Sequence, residues 1–370
     1  DDSIKEEVHA CRGCAAKLSD KPLKAALEKA DLGELWESPE DSNFLGYLKN
    51  GQSLIQSVDG FPALVSDAWL NGRLTALHAC SDILASGASV VSAQAIITLP
   101  AVSINLQKEL LAQSLAGINS ALLPQGAKIL GGHTLESRKR SPSPISLGVD
   151  ISLSVNGVVG RQEAPWIKSG LRPGDHILIS RALGTGVIFA AAMQGKVASR
   201  DLDAALVQMN TSQHRIIDSL LSLQRKESSR QIVHACTDIT GFGLLGHLAE
   251  MLRSTNHNRS KTKSLPLKIS LNLEAIPALD GVFELFKLGF NSTLAPANRN
   301  FLNYIKPNYD KHSQIELALE KIKVGSFKYK MFLELLVDPQ TCGPIVISCS
   351  EEFANNLIIT GPWKVIGKVV

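Results

Sequence analysis

An α/β (α+β) fold in two domains is predicted by three features of the sequence. The chain has 370 residues, 44% of them hydrophobic, enough to bury a large core and more than one domain usually needs. Segments with the two-residue alternation of strands recur between segments of helical period in both halves. A stretch carrying Gly, Pro and Trp166, Val158 to Arg172, interrupts that alternation. The first domain is therefore placed at 1–157, ending near Gly157, and the second at 171–370.

In chain order, the run Cys11-Arg12-Gly13-Cys14-Ala15-Ala16-Lys17 reads as a mobile loop of small residues. Lys21 to Leu32 reads as a short helix. After Glu40-Asp41-Ser42, a turn at Lys49-Asn50-Gly51 feeds a strand from Ser53 that ends at Asp59. Asn71 to Ser86 has helical period, with Asp82 inside it. A β-rich run, Val90 to Leu99, precedes an amphipathic helix from Asn105 to Leu122 that stops before Pro124 and Gly126. The short apolar segment Lys128 to Leu130 leads into Gly131-Gly132-His133-Thr134, read as a turn. A polar insert, Ser137 to Pro144, precedes a strand at Ile145 to Val155.

The second half opens with a strand at His176 to Ser180, then helices at Val187 to Met193 and Asp201 to Leu223. Ile232 to Cys236 is a buried-type strand, and Thr237-Asp238-Ile239-Thr240-Gly241-Phe242-Gly243 turns it into a helix, Leu244 to Leu252. Ser254 to Pro266 reads as a polar insertion and Leu267 to Leu273 as a strand. A second insertion, Lys306 to Lys330, is predicted to be helical at Ile315 to Ile322. Asp338-Pro339-Gln340-Thr341-Cys342-Gly343 then turns into a strand at Pro344 to Ser348, and Lys364 to Val370 closes the chain.

Bulk chemistry narrows the function. With 38 basic and 35 acidic residues, the net charge of +3 is too slight to argue for nucleic acid. The clusters Arg138-Lys139-Arg140 and Arg259 to Lys263 lie among polar residues without aromatic neighbours and read as solvated loops. No run approaches the roughly 18 apolar residues of a membrane span. The six cysteines lack framework spacing, which fits free thiols in a reducing compartment. A cytoplasmic location follows as the expectation, an organelle being the alternative. The missing initiator methionine suggests a portion of a longer chain.

Four carboxylates carry the chemical argument. Asp41, Asp59 and Asp238 sit at strand ends or turns, and Asp82 lies within an otherwise apolar helix, where a charge needs a partner or a metal. Carboxylates on elements far apart in sequence can hold Mg²⁺ against a polyphosphate. The glycines at 131–132, 184–186 and 241–243 let backbone N–H groups approach a ligand. No Walker motif is present, and the nine histidines show no metal spacing. His133 and His247 read as packing histidines. Cys14, three residues before Lys17, is more easily ionised beside an ammonium, although Cys11 and Cys14 together also allow a redox pair or half a zinc site.

Taken in order, Cys14 to Lys17, Gly131 to Thr134, Thr237 to His247 and Asp338 to Thr341 resemble the selenophosphate synthetase (selenide, water dikinase) family. That family belongs to the aminoimidazole ribonucleotide synthetase superfamily, and the resemblance runs from about residue 9 to the C-terminus. It implies two α/β domains of the aminoimidazole ribonucleotide synthetase type, and a homodimer whose N-terminal domains form a β-barrel at the interface. The implied reaction converts ATP, selenide and water to selenophosphate, AMP and phosphate, with Mg²⁺.

By position, Cys14 matches the catalytic cysteine or selenocysteine and Lys17 the essential lysine. Asp41, Asp82 and Asp238 match metal-holding residues. Lys17, Asp59 and the run Gly131, Gly132, His133 and Thr134 match nucleotide contacts. The loop form resembles versions fused behind a flavin-dependent oxidoreductase domain, an implied upstream partner. The departures are Ser42, Ala16 and Pro344, where relatives carry a small apolar residue, a second cysteine and glycine. Another ATP-dependent kinase or ligase of the superfamily, or a decayed nucleotide-binding regulatory module, is the alternative.

Overall fold

The computed structural model describes residues 11–37, 39–137, 148–161, 163–227, 231–306 and 314–370, apart from the Cys14 side chain. Two open sheets organise it. The first contains β1 (Asn43–Tyr47), β2 (Ser53–Phe61), β3 (Ser89–Leu99), β4 (Lys128–Glu136) and β5 (Asp150–Val159), in the order β1-β2-β5-β3-β4. The second contains β6 (His176–Ile179), β7 (Ala235–Asp238), β8 (Ile269–Asn272), β9 (Ile315–Ala318), β10 (Ile345–Cys349) and β11 (Lys364–Val369), in the order β7-β10-β6-β11-β8-β9. Pairing is antiparallel except between β3 and β4 and between β8 and β9. Neither sheet closes into a barrel within one chain.

Alternation along β5 sends Ile151, Leu153, Val155 and Val159 inward, onto the helix Ala68–Ala85, against which the helix Ile104–Leu122 packs. These helices approach closely because each presents a glycine at the crossing. A Cβ on Gly72 would strike the Ser114 carbonyl, and one on Gly117 the Trp69 carbonyl. The first helix is buried almost all round, since it also packs against β7 of the second domain. That contact brings Asp82 and Asp238 together. The opposite face of the first sheet leaves Val58, Ile96 and Leu130 exposed.

Several expectations are corrected. Gly131 to Thr134 is not a turn: it lies inside β4, where parallel pairing with Gln94–Ile97 of β3 satisfies its backbone, and Gly132 permits the close approach to Ala95. Asp201 to Leu223 is two helices, Ser199–Asn210 and His214–Lys226. The break between them is fixed by Gln213, which accepts from Ser180 Oγ and donates to the Gly343 carbonyl at 2.9 Å. Ile315 to Ile322 begins as β9, because the pairing with β8 outweighs its helical period. The helix predicted to stop at Leu252 runs from Gly243 to Lys261, absorbing much of the supposed insertion. β5 continues to Val159, past the expected boundary at Gly157. The insert Ser137 to Pro144 lies outside the described residues beyond Ser137.

Candidate active site

A cleft of about 500 Å³ lies where the two sheets meet, and Lys17, Asp41, Asp59, Asp82, Lys168 and Asp238 all line it. Asp41, Asp82 and Asp238 each offer a carboxylate oxygen within 4.8 Å of the others. They arrive from the segment before β1, from the last turn of the helix Ala68–Ala85 and from the end of β7. Hydroxyls hold two of them: Ser57 Oγ donates to Asp82, and Ser81 Oγ donates to Asp238. Asp59 accepts from Gly60 N at 2.6 Å and faces His78 Nε2 at 3.1 Å. Because His78 Nδ1 accepts from Cys342 N at 3.3 Å, Nε2 carries the proton toward Asp59.

A buried cation sits beside the trio. Lys168 Nζ lies 2.7 Å from Asp41 Oδ1 and 3.0 Å from Glu250 Oε2, and all three side chains are under a tenth exposed. Its backbone N–H donates to Glu40 Oε2 at 3.0 Å. His247 Nε2 accepts from Thr240 N at 3.1 Å, which leaves Nδ1 protonated and 3.4 Å from Glu250. At the other wall, Lys17 Nζ stands 4.8 Å from the Phe242 ring centroid.

The charges do not balance within the cleft. Burial, then the neighbouring Asp238, Asp59 and Asp41, pushes the Asp82 carboxyl well above the usual range. Burial also raises Asp41, with Asp238 adding to it and Lys168 opposing. Glu40 is pushed up to about 7, chiefly by burial. Burial would raise Glu250 and Asp59 too. The Lys168 charge instead holds Glu250 far below its ordinary value, and His78 with Lys17 lowers Asp59. Burial would lower Lys168, yet Asp41 and Glu250 outweigh it and hold the ammonium firmly protonated. A trio of oxygen donors with surplus negative charge suits a hard divalent cation and offers no soft ligand to a thiophilic one.

Sequence comparison assigns the chain to a family. Residues 40–159 match the model of the AIR synthase related protein N-terminal domain, and residues 172–258 that of its C-terminal domain. The selenide, water dikinase of Geobacter metallireducens is 30% identical over 354 residues, spanning 94% of this chain and 89% of its own. This chain belongs to the selenide, water dikinase family. The enzymes of that name from Clostridioides difficile and Nitrosomonas eutropha are 26% and 28% identical, over 98% and 96% of this chain and 94% and 93% of their own.

Among solved structures, thiamine monophosphate kinase from Aquifex aeolicus superposes with a TM-score of 0.60 at 15% identity over 93% of both chains. The hydrogenase maturation protein HypE of E. coli gives 0.59 at 16% identity, over 95% of this chain and 91% of that one. These neighbours establish the fold.

For a member of the selenide, water dikinase family, the predicted residues divide clearly. Asp41, Asp59, Asp82, Asp238 and Lys17 converge on the cleft. Gly131 to Thr134 does not join them, and within one chain it lies on the edge strand of the first sheet, largely exposed. The Cys14 backbone belongs to the short 3-10 helix Gly13–Ala16, while its side chain falls outside the described residues. Cys11 is a free, buried thiol: its N–H donates to Thr293 Oγ1 at 3.2 Å, and its Sγ accepts from Thr293 N at 3.4 Å. Cys80, Cys236, Cys342 and Cys349 form no disulfide among the described residues.

Sequence reasoning missed Lys168 and Glu250 and took His247 for packing. Lys168 stands alone in an irregular connector, so nothing local marks it. Glu250 and His247 share one helix face at a spacing of three residues, a signal that becomes legible only once that helix is known to border the carboxylates. Among the described residues, no helix is long and apolar enough to cross a membrane.

Proposed function

We propose that the cleft makes selenophosphate, converting ATP, selenide and water to selenophosphate, AMP and phosphate. The observation that carries this reading is the convergence of Asp41, Asp82 and Asp238 from both domains beside Lys17, in a chain of the selenide, water dikinase family. Two related folds support the nucleotide: one neighbour holds AMPPCP and TMP, and a HypE structure holds ATP. Balance requires two phosphoanhydride bonds to break, one phosphoryl group passing to selenium and the other to water.

Mg²⁺ held by Asp41, Asp82 and Asp238 would offset phosphate charge that otherwise repels a nucleophile. Lys17 adds a positive charge at the mouth of the cleft, steadied against the Phe242 ring. Asp59, fixed by His78 and by the Gly60 N–H, orients the nucleotide. Cys14, three residues before Lys17 in sequence, guides the selenide toward the phosphoryl group without forming a bond to it. The loop 11–17 covers the cleft and excludes water that would waste ATP.

The chain acts as a homodimer in this reading. The open apolar face of the first sheet, around Val58, Ile96 and Leu130, packs on a second copy and completes a barrel. Contact of Gly131 to Thr134 with nucleotide is then made in the dimer, since these residues lie away from the acidic trio of their own chain.

The test is ATP turnover with and without selenide, followed by phosphorus NMR. Selenide-dependent selenophosphate with AMP is expected, and loss of it in Cys14→Ser and Lys17→Ala. ADP as the final nucleotide would instead favour a simple kinase, the activity in the name of one structural neighbour. Full activity in either variant would remove that residue's role.

A further inference from the structure

A second depression, of about 430 Å³, opens on the C-terminal domain and shares no lining residue with the acidic cleft. At its floor His234 is 9% exposed. Its Nδ1 lies 2.8 Å from Asp175 Oδ1 and 2.9 Å from Oδ2. The buried Asp175 carboxylate also accepts from Arg172 N at 3.1 Å and from Ser348 Oγ. With donors gathered on that carboxylate, Nδ1 carries the imidazole proton. The hydrogen bonds His234 makes among the described residues run through Nδ1, which leaves Nε2 as the ring atom available to the depression that His234 lines.

What surrounds Nε2 selects the ligand. Arg172 and Arg259 line the depression with Thr255, Thr262 and Ser264, and among the described residues no Asp or Glu does. Both guanidiniums are steadied without being neutralised: Arg172 donates to Gln231 Oε1 at 2.6 Å and Arg259 Nε to the Leu265 carbonyl at 2.8 Å. The helix Gly243–Lys261 ends here, and its negative end would oppose an anion. That end is capped, however, since Thr262 N, Ser264 N and Thr262 Oγ1 all donate to the Arg259 carbonyl. The result is a cationic hollow that offers Nε2 of His234 as an acceptor. Hydrogen phosphate matches it, because its P–OH donates to Nε2 while its charged oxygens meet the guanidiniums.

We propose that this depression is an oxyanion site for hydrogen phosphate, free or carried as the phosphoryl group of a nucleotide monophosphate, separate from the acidic cleft. It accounts for a buried Asp–His pair that the reaction does not use and for Arg259 of the basic run 259–263. The test uses the full chain with ¹³C-labelled histidine and no divalent cation. Histidine C–H resonances are followed while inorganic phosphate is titrated, and in a second arm AMP. One resonance, identified by its loss in His234→Gln, is expected to shift saturably. Binding should weaken about tenfold or more when Arg172 and Arg259 are both replaced by alanine, and should be unchanged in Lys17→Ala.

Saturation by phosphate but not AMP assigns the free ion, and the reverse assigns the nucleotide. Absence of a saturable shift in both arms, or an equal shift in the double arginine variant, overturns the site. Arg172 is exposed and Arg259 only partly buried, so that variant keeps the test usable if His234→Gln does not fold. Because no arm measures turnover, failure here is distinct from failure of the selenophosphate reading.

Discussion

Replacing Lys168 by methionine keeps the aliphatic stem and removes the one cation between Asp41 and Glu250. The ammonium lies 2.7 and 3.0 Å from their oxygens, and the three side chains are only 5%, 8% and 7% exposed, so solvent screens the contacts weakly. Removing one partner of a buried pair strands the other charge and typically costs about 3–5 kcal/mol. We expect a loss of that size at pH 7, measured by urea unfolding of the chain without divalent cations. Its pH dependence follows from linkage. Glu250 is held below its unfolded value by Lys168, so its stabilisation is present above that value and fades as pH falls through the acid range. In Lys168→Met, burial is opposed at these carboxyls chiefly by His247, so Glu250 rises and Asp41 rises further, and the variant loses stability as pH climbs above about 4. The gap between the two proteins therefore widens from pH 4 to 7. Adding Glu250→Gln to Lys168→Met should recover part of the loss by removing one stranded charge. A penalty below about 1 kcal/mol that stays flat between pH 5 and 7 would refute the reasoning.

Three further outcomes follow from the same geometry. Asp82→Asn should melt at a higher temperature than the parent when divalent cations are absent, because it relieves the repulsion that raises Asp82; it should also lose both magnesium-induced stabilisation and ATP turnover, and retained turnover would argue against the trio as a metal site. His78→Ala should raise KM for ATP about tenfold by freeing Asp59, with His78→Gln recovering part of the effect, and steady-state kinetics separates this from a change in kcat alone. Asp338 is raised to about 7 by burial, against donors including Gln340 and Gly186 N. The folded state thus binds this proton more tightly than the unfolded one, and its stabilising effect is present below about pH 4 and disappears as pH rises to 7. Asp338→Asn should accordingly gain on the parent between pH 5 and 8 in thermal melts, and a constant difference would contradict the assignment.

Much of the site was legible because its signals are local. A carboxylate in an otherwise apolar helix marked Asp82, and strand-to-turn positions marked Asp59 and Asp238. The helices Ala68–Ala85 and Ile104–Leu122 and the strands β2 and β3 followed from period alone, the strands' observed limits Ser53–Phe61 and Ser89–Leu99 differing little from the reading. What failed depends on partners distant in sequence. Gly131-Gly132 has the composition of a turn, yet becomes a strand because β3 supplies its hydrogen bonds, and Ile315 to Ala318 is extended because β8 does the same.

The sequence by itself picked out Asp41, Asp59, Asp82 and Asp238, since charge placed in an apolar or turn setting is a local anomaly, and it offered Lys17 through the family resemblance; all five line one cleft. Only the tertiary structure decided that Lys168 and Glu250 brace Asp41, that His78 ties Asp59 to the backbone of Cys342, and that Gly131 to Thr134 stands apart from the trio. Those facts arise where two domains close on each other. An ammonium and a carboxylate that meet only on folding leave no periodic trace in the chain, and their energy exists only once the surrounding core has excluded water.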